Sequence, residues 1–173
     1  MVSFLWIGAD VSAMETVYLE TTIVSYMVSD PSRDLIIAGH QQITRDWWAD
    51  RRQFFSCSVS QQVVDEASKG DADQAARRLA ILHTLPKLPI TPTVSQLAEE
   101  LVQSGAIPPK AAGDAVHVAV ATVAGVGYVL TWNCRHIANA QVLKQVANVC
   151  AHCGYELPSV CTPEELMGGD TDV

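Results

Sequence analysis

Three carboxylates and one amide are spaced so that a fold could bring them to a single point. Glu20 stands in VYLETT, Glu66 in VVDEASKGD, Asp114 in AAGDAVHVAVA, and Asn133 follows the apolar run YVLTW. Hard divalent cations such as Mg²⁺ and Mn²⁺ prefer oxygen ligands, and acids gathered from distant parts of a chain are a common way to hold them. Asp114 is the most informative singly. It lies among Ala111, Ala112, Ala115 and Val116, where a charge is expensive to bury without a partner or a metal. Each residue also has a plainer reading. Glu20 could cap a helix, Glu66 and Asp65 could lie on a solvated helix face, Asp114 could be an acid of a first helical turn, and Asn133 could shape a turn. Their shared kind of position carries more weight than any one of them.

The elements that must position them can be read from hydrophobic spacing and punctuation. Residues 16–19 read as a first strand, and Glu20-Thr21-Thr22 offers groups to cap a brief helix from Ile23. A long helix is expected over 33–52, followed by a strand over 54–58 and a helix over 61–68 capped by Ser60. Further helices are expected over 72–84, 94–104 (starting at Thr93), 111–124 and 135–150. Strands are expected over 88–91, 128–132 and 159–161, and Thr162-Pro163-Glu164-Glu165 reads as a last helix start. Strands alternating with helices call for a three-layer α/β/α sandwich with a mostly parallel central sheet of four to five strands. In such sheets ligands bind beyond the carboxyl ends of the strands. Glu20 and Asn133 fall there directly. Glu66 lies on the helix after the second strand, and Asp114 starts the apolar helix before the fourth.

The chain has 173 residues, of which 49% are hydrophobic and 17% charged. That suits one domain with a real core and much covered surface, in keeping with a homodimer. Residues 1–13 read as an upstream extension, since Met14 offers an alternative start, the domain as 14–167, and 168–173 as a flexible acidic tail. The segment 2–13 is apolar but short and lacks the basic residues that open a signal peptide. No apolar run is long enough for a membrane span. The net charge of −8 has the wrong sign for a phosphate-binding surface. Five of the acids lie in the last eighteen residues, however, and bound cations would offset a ligand cluster. Five cysteines, an odd number, read as reduced thiols in a cytoplasmic protein. Cys150-Ala-His-Cys153 is a C-x-x-C, but a structural zinc site needs four ligands, and only Cys161, or distant Cys134 and His136, could complete it.

Taken as a set, VYLETTIVSYM, SVSQQVVDEASKGD, GDAVHVAVA and YVLTWNCRHIANA resemble the motifs of the PIN domain. They are most similar to the bacterial branch that includes VapC-like toxins of toxin–antitoxin pairs, and the similarity runs from Thr16 to about Leu166. The resemblance implies a PIN-like fold and a ribonuclease dependent on Mg²⁺ or Mn²⁺, with RNA as substrate and a small antitoxin protein as partner. It places Glu20, where the family usually has Asp, with Glu66, Asp114 and Asn133 as the catalytic and metal-holding set. Asn133 stands where the family has a fourth acid, and Thr131 matches an accompanying hydroxyl residue. On this reading Thr21, Thr131, His117 and Arg135 are the candidates for contact with substrate. His117, three residues after Asp114 on the same helix face, could instead support a ligand from behind. Arg51-Arg52 and Arg77-Arg78 read as solvated helix faces, and Trp47-Trp48 as a core or dimer contact.

Two rivals come from other classes. A phosphoacceptor domain of the response-regulator kind also gathers acids at a sheet edge. It needs an acidic pair after the first strand and a Lys after the last, and this chain has neither. A catalytically weakened PIN-like module that only binds nucleic acid or a partner is the stronger rival, because Asn133 adds no charge.

Overall fold

The computed structural model describes residues 14–168. The extension expected over 1–13, and the acidic tail after 168, lie outside the described residues. Five strands form one sheet: β1 (Glu15–Leu19), β2 (Phe55–Ser60), β3 (Lys87–Leu88), β4 (Tyr128–Leu130) and β5 (Ser159–Cys161). Their spatial order is β3-β2-β1-β4-β5, and every neighbouring pair is parallel. Seven α-helices link them: α1 (Thr21–Val28), α2 (Leu35–Asp46), α3 (Gln61–Ala67), α4 (Ala72–Leu82), α5 (Pro92–Gln103), α6 (Ala112–Ala124) and α7 (Ala140–His152).

Successive side chains of a strand point to opposite faces. Val17, Tyr18 and Leu19 of β1 are all fully buried, so both faces of the central strand are covered. This is the burial a parallel sheet between two helical layers demands, and the α/β expectation is met. The chain runs outward from β1 through β2 to β3, then returns to the other side of β1 for β4. The strand order therefore reverses between β1 and β4, where open α/β sheets have a ligand crevice. Leu19 pairs with Leu130 across that junction, and the Glu20 N–H donates to the Leu130 carbonyl at 3.0 Å. The residues following both strands are thus locked side by side.

α6 packs with α5 and is the most buried helix. Every residue from His117 to Thr122 is buried, and Gly125 ends the helix at φ 63°, a left-handed conformation that suits glycine. No helix among the described residues is long and apolar enough to cross a membrane.

Several boundaries differ from the expected ones. The helix expected over 33–52 stops at Asp46, giving way to a π-helical turn over Trp47–Arg51 and a 3₁₀ turn over Arg52–Phe54. The wider turn sends Trp47 fully into the core, while Arg52 lies over the Trp48 ring at 4.7 Å and Arg51 over Phe54 at 5.1 Å. α5 starts earlier than Thr93: the Thr91 hydroxyl accepts the Val94 N–H, and Pro92 takes the first helical position, where its missing N–H costs nothing. The helix expected from Arg135 begins only at Ala140, because Asn139 accepts the Gln141 and Val142 N–H groups as its cap. Thr162-Pro163-Glu164-Glu165 makes only turns, although Glu165 does accept both the N–H and the hydroxyl of Thr162.

Leu130 is fully buried beside the crevice. Leu130→Ala is expected to cost roughly 2–5 kcal/mol and to lower the melting temperature. Leu35→Ala, at a position 87% exposed, should leave the melt almost unchanged in the same calorimetric measurement.

Candidate functional site

Glu20 follows the last residue of β1 and caps α1. A carboxylate here is favoured by the helix dipole, and its side chain accepts the Thr22 N–H at 3.1 Å. The plainer reading of Glu20 as a cap is therefore true, yet it accounts for only part of the geometry. The same oxygen, Oε2, also accepts the Thr22 hydroxyl at 2.5 Å and the Thr131 hydroxyl at 2.7 Å. Thr131 in turn accepts the Asn133 N–H at 2.9 Å, and the Thr22 hydroxyl accepts the Trp132 N–H at 2.9 Å. Glu20 is only 4% exposed, but it is held through one oxygen, which leaves Oε1 for another partner.

Glu66 sits near the end of α3 and faces the same crevice. Its Oε2 accepts from the Thr21 hydroxyl at 2.5 Å and from His117 Nε2 at 3.0 Å, and its Oε1 accepts from Gln62 at 2.8 Å. Burial alone would raise the Glu66 carboxyl. The hydrogen bond and charge of His117, then the bonds from Thr21 and Gln62, overcome this and bring it down to about 2. Gly113 makes the approach possible: a Cβ there would stand 3.0 Å from the Gln62 amide nitrogen and 3.1 Å from Glu66 Oε1.

Asp114 lies in the first turn of α6, beside Gly113. Burial raises its carboxyl, with the Asn133 side chain and the charges of His117 and His136 pulling the other way and Glu66 adding to the rise. The Asn133 amide is oriented by its neighbours. Its Oδ1 accepts the His136 N–H at 3.1 Å.

A carboxylate set of this kind fits a hard divalent cation. Glu20, Glu66 and His117 each present one ligand atom, all within 4.8 Å of one another, and Asp114 is not part of that group. Among the described residues no Lys or Arg pairs with Glu20, Glu66 or Asp114. Glu20 is held by hydroxyls and a backbone N–H, and Glu66 by a hydroxyl, an amide and the His117 imidazole.

Some expected roles change. Asn133 uses its amide oxygen on the His136 N–H, as its reading as a turn residue expects. Thr21 and Thr131 spend their hydroxyls on the acids. His117 is fully buried with both ring nitrogens engaged, Thr131 is fully buried, and Thr21 is half-buried. Arg135 is exposed and makes no ion pair among the described residues. Ser60 stands at the N-cap of α3 as expected but makes no side-chain capping bond; its hydroxyl meets Tyr18 instead at 2.7 Å. Tyr18, Gln62 and His136 were missed as parts of the site. Alternation along a strand puts Tyr18 on the same side as Glu20, and Gln62 stands one helical turn before Glu66, so two of the three left a signal in the spacing.

Cys57, Cys150 and Cys161 are buried, whereas Cys134 and Cys153 are exposed. No cysteine joins a metal-competent group among the described residues. Burial pushes the Cys57 thiol up to about 11, and burial with Glu165 pushes Cys161 up to about 12. In the native protein a thiol-reactive dye at pH 8 is expected to label Cys134 and Cys153 promptly, and the other three only after unfolding.

The low carboxyl of Glu66 makes a second prediction. A group depressed in the folded state stabilises it above the unfolded value and loses that contribution as pH falls through the folded value. Thermal melts should show stability lost between the ordinary 4.5 and about 2, and Glu66→Gln should lack that part of the acid dependence.

No protein-family model matches the sequence, and no curated protein does. A solved structure does match in shape: VapBC2 from Rickettsia felis bound to a DNA fragment from their promoter, at a TM-score of 0.55 and 16% identity. The match covers 85% of this chain and 98% of that one. At that identity the likeness concerns the fold: this chain has the PIN-like α/β architecture of the VapBC2 neighbour, with a five-stranded parallel sheet between helices.

Proposed function

We propose that this protein is a divalent-metal-dependent endoribonuclease and the toxin member of a bacterial toxin–antitoxin pair. The observation that carries this reading is the cluster of acids at the strand-order reversal, buried or half-buried and, among the described residues, paired with no Lys or Arg. The motif resemblance and the shared fold support it. On this reading Glu20 and Glu66 hold Mg²⁺ or Mn²⁺ together with Asp114. Asn133 and Thr131 act as positioning residues, the first for Asp114 and the second for Glu20. A bound ion of this kind lowers the pKa of a water and stabilises charge developing on the phosphate. Glu20 Oε1 is aimed by the fixed position of Oε2, so the carboxylate needs little reorganisation to ligate. The Asp114 carboxyl is raised chiefly by burial, with a lesser contribution from the charge of Glu66, and a cation beside it would favour its ionised form. Arg135, exposed two residues after Asn133, is the nearest candidate to meet a substrate phosphate.

A small antitoxin and a second copy of the chain are the proposed protein partners. The start of α2 leaves Leu35 and Ile36 87% and 71% exposed, apolar surface of the kind a partner chain covers. The absence of an acid at Asn133 keeps a second reading, a weakened module that binds nucleic acid without cutting it.

The purified chain with Mn²⁺ should cleave labelled RNA, and chelation should stop it. Glu20→Gln and Asp114→Asn should each lower the rate by about 100-fold or more, since even residues behind the ligands of a metal site can cost 10–100-fold. Undiminished cleavage by both variants would remove these residues from the site. Mn²⁺ binding without cleavage of any RNA would favour the binding module.

A further inference from the structure

A chain of buried polar groups runs from β2 through β1 and α6 to Glu66. The Ser60 hydroxyl lies 2.7 Å from the Tyr18 hydroxyl, which lies 2.8 Å from His117 Nδ1. His117 Nε2 then meets Glu66 Oε2 at 3.0 Å. Ser60, Tyr18 and His117 are each fully buried. Four elements, β2, β1, α6 and α3, are joined by three hydrogen bonds.

The donors can be ordered along this chain. An ionised carboxylate only accepts, so His117 Nε2 carries a proton. In a neutral imidazole Nδ1 is then the acceptor, and the Tyr18 hydroxyl donates to it. The phenolic oxygen in turn accepts from Ser60. A protonated imidazole would donate from both nitrogens; in either form Nε2 offers its N–H to Glu66, and Nδ1 is held by a partner that cannot move out of the core. A nitrogen that carries a proton has no lone pair for a cation. His117 therefore lies near the ligand atoms without being one of them.

We propose that Tyr18 and His117 are positioning residues that fix Glu66 Oε2, so that Glu66 is presented ready-aimed to a divalent cation. This rests on the metal-dependent reading above. A carboxylate near a helix end is mobile by itself; tethered at Oε2 to the core, with Gln62 on Oε1, it has lost most of its freedom before the cation arrives. Ordering the ligand in advance lowers the entropy lost on binding.

The test is Mn²⁺ titration of the metal-free full chain by calorimetry, with the melting temperature of each variant recorded alongside. Tyr18→Phe keeps the ring in the core and removes only the hydroxyl. It is expected to weaken Mn²⁺ binding about tenfold, and His117→Ala about 100-fold. His117→Gln can still offer an N–H to Glu66 and should stay within about threefold of the unaltered protein. Tyr18→Phe binding within about twofold of the unaltered protein would overturn the proposal. So would a His117→Gln variant that folds and binds as weakly as His117→Ala, since that would make the imidazole itself a ligand. If the unaltered chain binds no Mn²⁺, the metal-dependent reading fails first, which is a separate result. Should His117→Ala fail to fold, Tyr18→Phe decides the matter.

Discussion

The structure turns on a carboxylate that must be satisfied where water hardly reaches. Glu20 is placed at the reversal of strand order by the register of β1 with β4, and it is 4% exposed. Burying an ionised group without donors would cost far more than a domain of this size can spare. Three donors on one oxygen meet the need, and each comes from a residue beside a strand end: Thr22 twice and Thr131 once. The sheet order, the start of α1 and the exit of β4 are therefore tied to the same atom. Hydrogen bonds to a charged acceptor are stronger than neutral ones, so this junction is a rigid base for the crevice.

Glu66 and Asp114 are set into that base differently. Glu66 arrives from a short helix, α3, and depends on side chains of α1 and α6 for its orientation. Asp114 is carried by the buried helix itself and relies on its own backbone position and on Asn133. One acid is lowered by its partners while another is raised by burial. Such divergence within a small volume is typical of functional clusters.

Much of this was legible in the sequence, for physical reasons. The alternation of strands and helices is a strong periodic signal, and it led to the parallel sheet and to acids gathered at strand ends. Turn and cap details were less visible because they depend on competition between neighbouring groups. Ser60 looks like a cap, but Tyr18 reaches its hydroxyl first. The 33–52 segment has helical spacing throughout, yet burying Trp47 requires a wider turn. The motif resemblance places Asn133 in the metal-holding set, and only the fold shows that its oxygen faces the His136 N–H. The chain through Tyr18 and His117 spans 99 residues of sequence and has no local signature.

The manner in which the acids are held also bears on how a polyanion would approach. Hydroxyls, amides and a core imidazole orient the carboxylates, and among the described residues no lysine or arginine pairs with them. In a chain of net charge −8, the crevice is a negative focus on a negative body. On the proposed nuclease reading, a nucleic acid diffusing towards it would be repelled rather than steered. Added salt screens that repulsion and quickens encounter, the reverse of the usual dependence on counterion release. On that same reading, bound cations would have to offset the charge of the crevice before a strand could enter.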